Sequence, residues 1–167
     1  MHIMKRMLLL LGVLICICQI SYAAPGDEAK RINELYAIPI EVTVLNWYLS
    51  LDNLVQINKR NGIHESEYRR RLADIAVRAD SELKFTMERL HKEPVPKELE
   101  SLKVSIISTG AIGRVIANDT LDLSYGVLSL KKYFEKLEYN FSIYERSLNW
   151  IDREYTNITG EIRVRNI

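Results

Sequence analysis

From Leu123 to Ile158 an apolar or aromatic residue recurs at alternating intervals of four and three. The positions are Leu123, Val127, Leu130, Phe134, Leu137, Phe141, Tyr144, Leu148, Ile151, Tyr155 and Ile158. A mean spacing of 3.5 keeps every one of them on a single helix face, which is the pattern of a helix zipped against other helices. Unbroken over this length, it predicts a rod of about 50 Å at about 1.5 Å rise per residue. Such a stripe cannot be left in water, so the chain must supply sister helices to cover it.

Three earlier segments provide them. Ile40, Val44, Trp47, Leu51 and Leu54 form a stripe within a first helix over 27–60, interrupted by Pro39. That proline either kinks one long helix or opens a second at its first turn, where a missing N–H costs nothing. Asn61-Gly62 reads as a helix stop, and Ile63-His64 with Glu67 and Tyr68 as the start of the next, a capping box with its hydrophobic staple. The second helix, over 64–92, buries Leu72, Ile75, Ala76, Ala79, Leu83, Met87 and Leu90, and ends at Pro94-Val95-Pro96. The third, over 96–118, has Leu99, Leu102, Ile106 and Ile116 inside, and its Ser105, Thr109, Gly113 and Ala117 make a face of small side chains. Asn118-Asp119-Thr120 offers a turn and a cap before a fourth helix over 121–157. The alternative, one rod running from Pro96 to Asn157, would leave half its seam in need of another chain. The expected fold is therefore all-α, an up-down-up-down four-helix bundle over 24–160 with a loose tail at 161–167.

Ahead of the bundle, Lys5 and Arg6 precede an unbroken apolar run from Met7 to Cys18, and Ser21-Tyr22-Ala23 places small residues where a signal peptidase needs them. Cleavage between Ala23 and Ala24 is expected, making 1–23 a signal peptide; the apolar run is too short for a spanning helix, which needs about 20 residues. Both cysteines, Cys16 and Cys18, leave with it, so the exported chain carries neither a disulfide nor a thiolate metal site. A thiol-free exported domain fits a periplasmic or extracellular place in a bacterial or archaeal envelope. Glycosylation-type triplets nevertheless occur at Asn118, Asn140 and Asn157.

Charge narrows the function classes. Lysine and arginine number 23 against 22 aspartates and glutamates, and loss of Lys5 and Arg6 tips the balance slightly negative. That balance excludes a nucleic-acid binder, which depends on clustered positive charge, and an anionic membrane surface as a partner. No second apolar span follows the signal segment. Arg69, Arg70 and Arg71 are consecutive, so they fan around the helix, and Glu65, Glu67, Asp74 and Glu82 lie at pairing distance from them and from Arg78.

Residues able to carry chemistry are few. Glu88 and His91 make one Glu-x-x-His pair, whereas a di-iron bundle needs two. Met87 and His91 share a helix face and are the remaining weak candidates for copper or haem. His91 in a last turn and Met87 on a core stripe have simpler structural roles, so no cofactor, metal or catalytic residue is expected. Aromatic residues are dense in the last helix, and Tyr144 and Tyr155 fall on the seam itself. A buried hydroxyl needs a partner, so these tyrosines lie near a bundle end or line a pocket opposite Thr109 and Gly113. The expected function is non-enzymatic binding: a protein-interaction module, with an unknown protein or a second copy of the chain as partner. The alternative is a small-molecule or solute-sensing bundle with a tyrosine-lined interior.

Overall fold

A computed structural model describes residues 24–165, and the proposed signal segment lies outside them. Among the described residues the structure is all-helical, with four helical rods and no strand. The first rod comprises α1 (Pro25–Ile32), a π-helical turn at Asn33–Ala37 and α2 (Ile38–Asn61). The second is α3 (Glu65–Lys92), the third is α4 (Glu100–Ser124), entered through a 3-10 turn at Lys97–Leu99, and the fourth is α5 (Leu130–Thr159).

Pro39 neither breaks the first rod nor opens a separate helix after a loop. The wide turn just before it re-registers the ladder, with the Ile38 N–H donating to the Asn33 carbonyl. A proline inside a helix removes one N–H and crowds the carbonyl four residues back, and an i→i+5 turn is a means of relieving both. The stop at Gly62 takes the left-handed cap conformation (φ 65°), and His64 caps α3 through its ring nitrogen.

Successive rods meet antiparallel. Tyr36 and Thr43 reach Glu93 and Glu82 of the second rod, while Arg114 of α4 reaches Asp80 of α3. At the other junction Thr120 meets Tyr133. The start of α1 closes on the end of α5, with Gly26 against Thr159 and Lys30 paired to Glu161 at 2.6 Å. The core runs through the expected stripes: Ile40, Leu83, Leu90, Leu102, Ile106 and Leu148 are all at most 1% exposed. The small face of α4 lets its neighbours approach, since a Cβ on Gly113 would stand 3.0 Å from Val44 and 3.1 Å from Leu83.

Two expectations are corrected. The break before the fourth rod falls at Tyr125–Ser129, not at Asn118–Thr120. Asp119 and Thr120 resemble capping residues, but both are buried within α4 and face α5. Asp119 accepts from Lys136 (2.7 Å) and Asn140 (2.8 Å), and Thr120 bonds its own helix and Tyr133. The stop is instead a Schellman ending: Gly126 takes φ 74°, its N–H donates to Leu123, and that of Val127 donates to Asp122. Ser129 then caps α5. Nor is the described part of the tail, 161–165, loose. Beyond Gly160 it folds back, and Arg163 is buried against Asn33, Glu41 and Asp152.

Candidate functional site

The seam of α5 is covered unevenly. Tyr144, Leu148 and Ile151 are 2%, 1% and 1% exposed, whereas Leu130 and Phe134 are 60% and 58% exposed. The cause is the course of the first rod. α1 packs along the C-terminal half of α5, but beyond the π turn α2 packs on α3 and, across the diagonal, on α4. It meets α5 through aromatic rings: Phe141 lies 6.0 Å from Trp47 and 6.5 Å from Tyr48, and Tyr144 packs edge-on to Phe141 at 6.4 Å. Past those rings no helix among the described residues covers the seam.

Where α2 leaves α5 a cleft of about 330 Å³ opens, walled by Val44, Leu45 and Tyr48 on one side and Phe141 and Tyr144 on the other, with Arg165 at its edge. Among the described residues two buried side-chain polar atoms have no hydrogen-bond partner, Tyr144 Oη and Trp47 Nε1. Both belong to this aromatic cluster. Burial pushes the Tyr144 phenol well above its usual range, and the nearby Glu41 charge adds to the shift.

Beneath the cleft is a buried ionic group that holds the tail. The side chains of Arg163 and Glu41 are both 0% exposed and bonded to each other. Arg163 also donates to Asn33 of the π turn and, at 2.9 Å, to Asp152. Arg165 reaches the second oxygen of Asp152 and the side-chain Oδ1 of Asn149. Two buried charges are tolerable only when each is paired and bonded, and here each guanidinium has a carboxylate.

The four proposed pocket residues are not brought together. Tyr144 lines the cleft, but Tyr155 packs in the core near Lys30 at the far end of α5. Thr109 is fully buried and donates to the Ser105 carbonyl, and Gly113 lies under Val44 and Leu83. The weak metal candidates also diverge. Met87 packs against Gly110, His91 is exposed, and Glu88 lies 3.9 Å from Lys84. Among the described residues no three His, Cys, Asp or Glu side chains cluster as metal ligands would. Ala24 caps α1, and Ala23 lies outside the described residues.

The arginine run is spent on ion pairs: Arg69 with Glu65, Arg70 and Arg71 with Glu67, and Arg78 with Glu82. Arg69 also donates to the Ser124 carbonyl, tying α3 to the end of α4. A larger groove, about 600 Å³, separates α2 from α3, but Arg78, Glu82 and Thr43 within it are bonded to one another. Sequence reasoning missed Glu41, Arg163 and Arg165; a lone acid between Ile40 and Val42 was the one visible sign. No helix among the described residues is long and apolar enough to cross a membrane. Compared with models of protein families, with curated proteins and with solved structures, the chain matches none.

Proposed function

We propose that this chain is an exported, non-enzymatic protein-interaction module. In this reading cleavage after Ala23 releases an up-down-up-down helical bundle outside the cytoplasm. The bundle then docks an amphipathic helix of a partner protein along the open half of α5. The observation that carries the reading is the exposure of Leu130 and Phe134, which continue in register with the buried residues of the same seam. A heptad stripe left uncovered within its own chain is the groove-facing half of a helix–helix interface, and adjacent exposed apolar residues mark binding surfaces more often than scattered ones do. Lys131 and Glu138 border the stripe and are exposed, so the fitting partner is a helix with an apolar stripe bordered by charges of both signs.

A photo-crosslinking residue at position 134, in the chain expressed in its own cells, tests this. One discrete adduct, lost when Leu130→Lys is added and absent from a control position at Lys97, is the expected result. Adducts no different from those at Lys97 would remove the reading.

A further inference from the structure

The end of the bundle where α2 and α4 stop and α3 and α5 start differs in chemistry from the rest. The turn joining α4 to α5 exposes Tyr125 at 69% and Val127 at 75%, and Leu130 opens α5 beside them. Turn chemistry needs neither side chain: Gly126 supplies the positive φ and Ser129 the cap. A Schellman ending offers the residue after its glycine an apolar contact with the preceding turn, but no such contact buries Val127. Two large apolar side chains within a five-residue turn, where polar residues are the rule, mark a contact surface.

Positive charge gathers at the same end. Residues 59–71 and 122–135 carry seven lysines and arginines against four aspartates and glutamates, while the rest of 24–167 carries fourteen against eighteen. The near-neutral total thus conceals a positive end on a negative body. The exclusion of an anionic surface, which rests on that total, does not extend to this end. Arg69, Arg70 and Arg71 answer Glu65 and Glu67. Lys59, Arg60, Lys131 and Lys132 are exposed and form no ion pair with another described residue. We propose that this end docks on a bilayer containing anionic lipid, with Tyr125 and Val127 entering the interface and those four cations meeting the headgroups. Apolar side chains beside lysines and arginines are the elements of an interfacial anchor, and tyrosine suits the headgroup level. Contact stops at the interface, because no helix among the described residues is long and apolar enough to cross a membrane. The docking stripe runs along the side of α5 and this patch caps the bundle, so the two surfaces are separate.

Vesicle flotation tests the inference, using the chain from Ala24 onward, which contains all four rods and lacks the apolar segment 7–18. Phosphatidylcholine vesicles with about 30% phosphatidylglycerol should carry the chain, and pure phosphatidylcholine at least about tenfold less. Salt at about 0.5 M should release most of it, as screening requires. Tyr125→Ser with Val127→Ser should weaken binding to the anionic vesicles by at least about tenfold, and Lys131→Gln with Lys132→Gln by about as much. All four side chains are exposed, so melting temperatures should match the parent's. Val104→Ser, at an exposed apolar position toward the opposite end of α4, should bind as the parent does. Absence of flotation with anionic vesicles would overturn the proposal. So would undiminished binding by Tyr125→Ser with Val127→Ser, an equal loss at Val104→Ser, or equal binding to neutral and anionic vesicles. Pure lipid holds no protein partner and none of these variants alters Leu130 or Phe134, so failure here is distinguishable from failure of the docking reading.

Discussion

The two halves of α5 obey one sequence rule and meet different fates. From Tyr144 to Ile158 the heptad positions are closed over by α1 and locked by the returning tail, while from Leu130 to Phe134 the same spacing faces water. The difference lies outside α5. A wide turn and a proline at residues 33–39 steer the first rod from α5 toward α3 and α4, so periodicity states that a face is apolar but not which neighbour covers it. Function is expected at the half left open.

The ionic lock on the closed half gives the largest expected effect. Arg163→Ala removes the guanidinium paired with the buried Glu41 carboxylate and should cost about 3–5 kcal/mol, whereas Glu41→Leu combined with Arg163→Met should fold with little loss. Chemical denaturation of the single and double variants checks both. If Arg163→Ala were as stable as the parent, the tail would contribute nothing to closure.

Truncation along α5 sharpens the contrast. Leu148→Ala should cost about 2–5 kcal/mol, as core leucines do, while Leu130→Ala should fall within about 0.5 kcal/mol in the isolated chain. Comparable losses at the two sites would mean that the open half is closed in solution. At the turn between α4 and α5, Gly126→Ala should cost roughly 1 kcal/mol, because a Cβ is disfavoured at positive φ and would stand 2.9 Å from Arg69 Nη1.

Smaller effects come from titration. Arg31 bonds Glu28 and Glu93, and Tyr36 donates to Glu93, so both carboxyls lie below their usual value of 4.5 in the folded chain. A carboxyl depressed by folding stabilises above its unfolded value and loses that contribution as pH falls through the folded one. Acid should therefore loosen the α1 end, read as faster amide exchange in 25–37 below about pH 4.5. At high pH the sign reverses. Burial raises Tyr133 to about 12 and Tyr144 further, so both stabilise the fold while unfolded phenols are still neutral, below 10. That contribution fades as pH rises above 10, and absorbance at alkaline pH should show these two ionising later than a free phenol.

Much of this fold was legible in single residues. The stripes of α2, α3 and α4 are buried as their spacing required, and Gly62 and His64 end and start helices as their chemistry suggested. The late break before α5 was also legible in principle, since Gly126 and Ser129 are a stop and a cap. Asp119 and Thr120 competed for that role because a capping side chain and one bonded to a neighbouring helix are the same residue types. The ionic lock was not legible. Glu41 and Arg163 are 122 positions apart, and periodicity carries no information about pairing at that separation. The cleft escaped for a related reason: Tyr144 was singled out, but the partners that wall it depend on where α2 turns away.

Hydrogen exchange along α5 in the purified chain tests the central contrast most directly. Strong protection is expected for amides from Tyr144 to Tyr155 and faster exchange from Phe134 to Leu137, where among the described residues Tyr133 and Lys136 alone are bonded to α4, since local opening is cheapest where few buried contacts hold a helix. Uniform protection from end to end would contradict it, because the exposed stripe would then be covered by something the chain itself supplies.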